Sequence, residues 1–364
     1  MDPNNFTSKK RNTNIELLRI LIMVLIIMSH YVYHGGAYDM ADGFNKYIAA
    51  GLMLGGKISV DVFIIITGYY MVDSNFKFIR IIRLELTVIF YSIGFYLIAC
   101  LLWKIDTWNF LSIRNSLLPT ITNMNDAYWF IPGYIAIILI APFVNIVVER
   151  LSKKTFQILL MVLLISVSII PSILFCTPIY DGNISIFILL YLFGGYLRKY
   201  ETGIKIKKAV LMIVFVGILS VHSILLIKLR EDQKLSVEYG IFPNMLLQCN
   251  YILTIIGAIC IFLFFLKVHI RYVGFINKIA SNVVAIYLIH DNKYFRQYAW
   301  NNIFKTYNFF DSKYMFVHAF VCTMIIFISC CVIEGIRKRL VSNFVGKIEK
   351  SSWIVRIDNL LNYK

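Results

Sequence analysis

The chain has 364 residues, 59% of them apolar and only 15% charged, and its mean hydropathy is +0.73. Soluble domains carry about 25% charged residues, so the balance excludes an ordinary soluble fold. The apolar residues fall in blocks of about 17–25, the length that crosses a bilayer core as helix. The net charge of +16 belongs in such a chain to short cytoplasmic loops rather than to nucleic-acid binding.

The pattern predicts an all-α polytopic membrane protein of ten spans in one bundle: about 14–33, 48–72, 82–103, 129–148, 156–175, 184–198, 209–227, 249–266, 276–296 and 314–336. Residues 1–13 are expected as a cytoplasmic N-terminal tail, 14–336 as the transmembrane domain and 337–364 as a basic cytoplasmic C-terminal tail. With both ends inside, 25 of the 36 lysines and arginines lie on inner segments and ten on outer loops, as the positive-inside rule requires. The first block follows Lys9, Lys10 and Arg11, lacks a small-residue cleavage site and reads as a retained span. The seven cysteines fall mostly inside apolar blocks without metal-ligand spacing and read as small core residues.

Ionisable residues in a span cost about 2.5–3.5 kcal/mol even on a lenient scale, which makes them functional candidates. The first span holds Glu16, Arg19 and His30. Arg19 and His30 share one helical face, about 16 Å apart along the axis, and Glu16 lies one turn before Arg19. The bland alternative is an arginine that snorkels and a histidine that packs. In the second span Lys57 and Asp61 are one turn apart. They form either a self-contained ion pair or, through Asp61, a carboxylate that orients His30. Lys77, Arg80 and Arg83 precede the third span on one face, suited to phosphate or to anionic lipid. Tyr128, Trp129 and Tyr134 open the fourth span as a platform for sugar rings or as an aromatic belt. The ninth span opens with Ser281 and Asn282 and carries Tyr287 and His290, the latter at a depth similar to His30. Gly194 and Gly195 in the sixth span suit close helix packing.

In this order the motifs resemble the acyltransferase 3 family of integral membrane acyltransferases. The resemblance is carried by Glu16, Arg19 and His30; by Val60, Asp61, Val62, Phe63, Thr67, Gly68 and Tyr69; by Arg80 and Arg83; by Trp129 and Phe130; and by Ser281, Tyr287, Leu288 and His290. Thr67 stands where serine is common, and the proline usual after the third-helix arginines is missing. No extracytoplasmic hydrolase-like domain follows the last span, so the chain is expected to finish the transfer itself or to need a partner.

The resemblance implies transfer of an acyl group, usually acetyl, from cytoplasmic acetyl-CoA to a surface glycan or lipid-linked sugar, with no metal. On that reading His30, Asp61 and His290 are catalytic. Arg19, Arg80 and Arg83 hold the donor, and Tyr128, Trp129, Lys57 and Tyr287 contact substrate. The expected location is a bacterial plasma membrane, with which the Ile-, Lys- and Asn-rich composition is compatible. A secondary transporter with buried charges along its path is the rival class.

Overall fold

The computed structural model describes residues 12–104, 108–122, 128–174, 184–200, 205–232, 234, 238, 242–349 and 351–362. Lys9, Lys10 and Arg11, and part of the outer loop expected at 104–128, lie outside them. Every regular element among the described residues is helical, as expected of an all-α bundle. The main helices are α1 (Thr13–His34), α2 (Gly43–Met71), α3 (Ile79–Ile98), α4 (Phe130–Arg150), α5 (Lys153–Leu164), α6 (Ile184–Tyr200), α7 (Lys208–Glu231), α8 (Ile252–Leu266), α9 (Val283–His290), α10 (Met315–Glu349) and α11 (Ser352–Leu361).

Eight segments among the described residues are long and apolar enough to cross a bilayer: α1 to α5 with their continuations, α7, α8 with the turn before it, and α10. The sixth expected span, α6, is 17 residues long. The ninth is broken. Gly274–Ala280 and α9 are separate helices, and Lys293–Tyr298 starts a third after a break at Asp291 and Asn292. The Asn292 side chain accepts from the Tyr294 N–H and so starts the new helix where the old one ends. Residues after 336 do not leave the bundle as an irregular tail. Helix α10 continues to Glu349, and α11 folds back beneath α3.

Helix α2 is the centre of the bundle, with α1, α6, α7 and α8 against it. Two glycines explain how α6 comes so close. A Cβ on Gly68 would lie 2.0 Å from the Tyr191 carbonyl oxygen, and one on Gly194 would lie 2.2 Å from the Ile65 carbonyl oxygen. The two backbones therefore touch directly, as small residues permit inside a membrane. At the other contact of α2, Gly56 faces Ser29 of α1.

This packing predicts a contrast between two equivalent substitutions. Gly68→Ala must push α6 away and lose about 1–3 kcal/mol. Gly94→Ala, where a Cβ meets nothing within 4 Å, gains about 0.5–1 kcal/mol from helix propensity. Thermal unfolding of the purified protein in detergent is expected to shift down for the first and up or not at all for the second.

Candidate active site

Helix α1 supplies a stripe of polar groups. Arg19 lies 3.6 Å from Glu16, forming the expected one-turn pair. His30 follows three turns later and is joined by His34, one turn further on the same face. The broken ninth segment meets this stripe. His30 Nδ1 is 2.9 Å from His290 Nε2, and His34 Nε2 is 3.1 Å from Asp291 Oδ1. Asp291 Oδ1 is also 3.6 Å from His30 Nδ1 and 3.5 Å from Arg296 Nη1. Three imidazoles and one guanidinium thus surround a single carboxylate that is 3% exposed.

The hydrogen bonds assign the protons. His290 Nδ1 is 2.6 Å from the Ile286 carbonyl oxygen, which can only accept, so this nitrogen carries hydrogen. In the neutral ring His290 Nε2 is then an acceptor, and His30 Nδ1 must donate to it. His30 is left with Nε2 as its bare nitrogen. His30 lines a cavity of about 540 Å³ whose wall also holds Lys57, Trp129, Tyr287 and Arg296. An imidazole with a fixed tautomer and a lone pair at a cavity wall is the geometry of a general base, and Asp291 supplies the negative charge that favours the imidazolium once formed.

A second cavity, of about 1080 Å³, lies toward the N-terminal end of α1. The two share Arg19, Thr67, Tyr134 and Val284 as wall residues, so they adjoin at Arg19. Six cations line the second cavity, Arg19, Arg80, Arg83, Arg198, Arg337 and Lys338, against the carboxylates Glu16, Asp73 and Glu334. Four of the cations pair with these carboxylates: Arg19 with Glu16, Arg198 with Asp73 at 2.9 Å, and Arg337 and Lys338 with Glu334, the first at 2.7 and 2.8 Å and the second at 3.7 Å. Lys338 reaches Asn282 Oδ1 at 2.6 Å, which gives the start of the ninth segment its place. The surplus of cations gives this cavity a net positive lining suited to an anionic group.

Several expected roles change. Asp61 does not meet His30. The helices run antiparallel with Gly56 against Ser29, so Asp61 lies about 7 Å further down and about 140° round α2. It is fully buried beside Cys249, with Lys57 its nearest cationic influence. Lys57 makes no ion pair with it among the described residues and places its ammonium over the Trp129 ring, 5.4 Å from the centroid. The carboxylate at His30 is Asp291, immediately after a histidine already singled out.

Tyr128 is not a surface platform. It is 1% exposed, donates to the Leu288 carbonyl at 2.8 Å and accepts from Asn292 at 2.8 Å, and so braces the break. Its φ of 61° is a left-handed conformation that the two hydrogen bonds hold in place. Trp129 and Tyr287 do line the cavity, and Arg80 and Arg83 line the lower one while Lys77 does not. His34, Asp291 and Arg296 were missed. From sequence His34 is assigned nothing, although it stands at the i,i+4 position from His30, the one local signal for it.

His30, His34 and Asp291 place one ligand atom each within 4.8 Å of one another, the donor set that could hold a divalent metal. Arg296 already supplies positive charge to the same carboxylate.

A family model described as an acyltransferase domain matches residues 12–334. The chain belongs to the acyltransferase 3 family. No curated protein and no solved structure matches it significantly. Membership makes this protein a membrane acyltransferase, and the matched region contains both cavities except Arg337 and Lys338.

The tautomer assignment for this acyltransferase is directly measurable. Nitrogen-15 spectra of histidine-labelled protein are expected to show hydrogen on Nδ1 of both His30 and His290. Hydrogen on His30 Nε2 would remove its assignment as the bare nitrogen.

Proposed function

We propose that the protein transfers an acetyl group from cytoplasmic acetyl-CoA to a hydroxyl of a surface polysaccharide or its lipid-linked precursor, across a bacterial plasma membrane. The observation that carries this reading is the junction of a cationic cavity and a histidine-lined cavity at Arg19. Acyl-CoA has a polyanionic head and a long thin arm ending in a thioester. The head suits the Arg80, Arg83 and Arg19 side, since guanidinium forks match phosphate oxygens. The arm then passes Arg19 toward His30, about 16 Å along α1.

In this mechanism the acceptor hydroxyl donates its proton to His30 Nε2 as its oxygen attacks the thioester carbonyl. Asp291 stabilises the resulting imidazolium. Collapse of the tetrahedral intermediate breaks the C–S bond, and the imidazolium returns the proton to the departing thiolate. Tyr287 and Lys57, both in the cavity wall, are the donors available to the oxyanion. Trp129 offers its ring to the sugar. His290 acts through His30 by fixing its tautomer. Asp61 takes no part at the reacting atoms.

Transfer of label from acetyl-CoA to surface glycan in membranes with and without the chain tests the reading. Removal of a general base costs about 10²–10⁴ in rate, so His30→Ala is expected to abolish detectable labelling while the protein still reaches the membrane. Asp291→Asn is expected to lower the maximal rate and leave the donor requirement unchanged. Arg80→Ala is expected to do the reverse, raising the donor concentration for half-maximal labelling. Wild-type labelling by His30→Ala would overturn the mechanism, and an unchanged donor response in Arg80→Ala would overturn the phosphate clamp.

A further inference from the structure

Helix α3 carries Arg80 and Arg83, yet its own sequence gives it no N-terminal cap. Residues 73–78 read DSNFKF, the residue before the helix is Phe78, and no side chain at that position accepts a helix N–H. The first N–H groups of a helix have no partner within it. The Arg80 and Ile81 N–H groups turn back to the Lys77 and Phe78 carbonyls, while the N–H at the helix start and one in the segment leading into it find partners at the far end of the chain. The Phe78 N–H donates to Asp358 Oδ1 at 2.6 Å, and the Phe76 N–H donates to Asn362 Oδ1 at 2.6 Å. Asn362 Nδ2 returns a hydrogen bond to the Phe76 carbonyl at 2.8 Å, so one amide clamps both backbone groups of one residue.

The helix that presents these groups is built to dock. In α11 the buried or half-buried positions are Ile354, Ile357, Asp358 and Leu361, one stripe at helical spacing. Leu361 packs against a small cluster of Phe76, Ile81 and Ile138 that also includes Tyr134, and Trp353 sets its ring edge-on to Phe78 with centroids 6.0 Å apart. Ile138 and Tyr134 are wall residues of the cationic cavity, and Tyr134 borders both cavities. Docking of α11 is therefore one side chain removed from the cationic cavity. The carboxylate of Asp358 also lies at the positive end of the α3 dipole, where negative charge is favoured.

We infer that α11 is a positioning element for the donor site: Asp358 caps the start of α3 in trans, Asn362 clamps the segment leading into it, and together they hold Arg80 and Arg83 at the angle that receives the phosphates of the acyl donor. The inference rests on the reading of the lower cavity as that donor's site. Both residues lie beyond the region that the family model matches, so the cap is a property of this chain's C-terminal end. They touch no reacting atom, and their effect is on donor binding rather than on the chemical step.

Binding of coenzyme A to purified full-length protein, followed by calorimetry, tests this, together with the rate at saturating acetyl-CoA. The Asp358→Ala/Asn362→Ala variant is expected to bind coenzyme A about tenfold more weakly, as loss of the cap and of the clamp before it predicts, with the saturated rate within about twofold of wild type. Asp358→Asn, which keeps an acceptor oxygen, is expected to bind within about threefold of wild type. This variant separates capping from folding if the double variant is lost to aggregation. Arg80→Ala/Arg83→Ala is the reference. If wild type and this reference bind coenzyme A equally, or neither binds, the donor reading fails and the inference with it. If the reference loses binding but the double variant does not, or Asp358→Asn binds about tenfold or more weakly than wild type, the donor reading stands and the positioning role is overturned. A fall in the saturated rate with unchanged binding also overturns it.

Discussion

The Ile286 carbonyl oxygen decides the chemistry of a ring it does not touch. It requires hydrogen on His290 Nδ1, His290 then requires hydrogen on His30 Nδ1, and His30 is left with one bare nitrogen at the cavity. A histidine alone in an apolar span has two tautomers to choose between, and no water in the bilayer core to make either comfortable. The relay removes the choice. Asp291, on the last turn of α9 where the helix breaks off, keeps its N–H on the Tyr287 carbonyl and sets its carboxylate against the α1 stripe as a compensating charge.

That break has to be held in a place where irregular backbone is costly. Non-helical backbone at membrane depth persists where protein or a water-filled cavity satisfies its polar groups. Tyr128 satisfies the Leu288 carbonyl and accepts from Asn292, while Asn292 caps the following helix. Arg296, within that helix, neutralises Asp291. The same short stretch thus breaks the helix, repairs the break and balances the charge it exposes. An aromatic residue expected to face sugar is consumed by this bracing, and the neighbouring Trp129 is left to line the cavity.

How much of this was readable from sequence follows from which forces act locally. Helix periodicity is local, so the α1 stripe of Glu16, Arg19 and His30 and the arginines of α3 were legible in chain order. The apolar blocks likewise gave an all-helical bundle. The close packing of α6 followed from the glycine pair Gly194 and Gly195, though its partner Gly68 could not be assigned without the fold. The carboxylate partner of His30 was not legible, because 260 residues separate His30 from His290 and the axial register of α1 against α2 is set by packing. Gly56 against Ser29 fixes that register and leaves Asp61 too deep and turned away. The ninth segment read as one span because its hydropathy is continuous, while the break depends on side-chain hydrogen bonds to Tyr128 that hydropathy does not weigh.

Charge placement explains why, on the proposed reading, two cavities rather than one would serve the reaction. A polyanionic head needs a surplus of cations, whereas a general base needs surroundings in which its proton affinity is not suppressed by neighbouring positive charge. Placing six cations around His30 would defeat it. The structure separates the two demands along the length of α1 and lets them meet at Arg19, whose charge is already shared with Glu16. Near His30 the guanidinium of Arg296 lies against the Asp291 carboxylate. Three helical turns of apolar side chains between Arg19 and His30 are therefore as necessary to the site as the polar residues at either end. On the proposed reading they set the distance across which a long thin substrate arm would connect an electrostatic anchor to a base that the anchor must not touch.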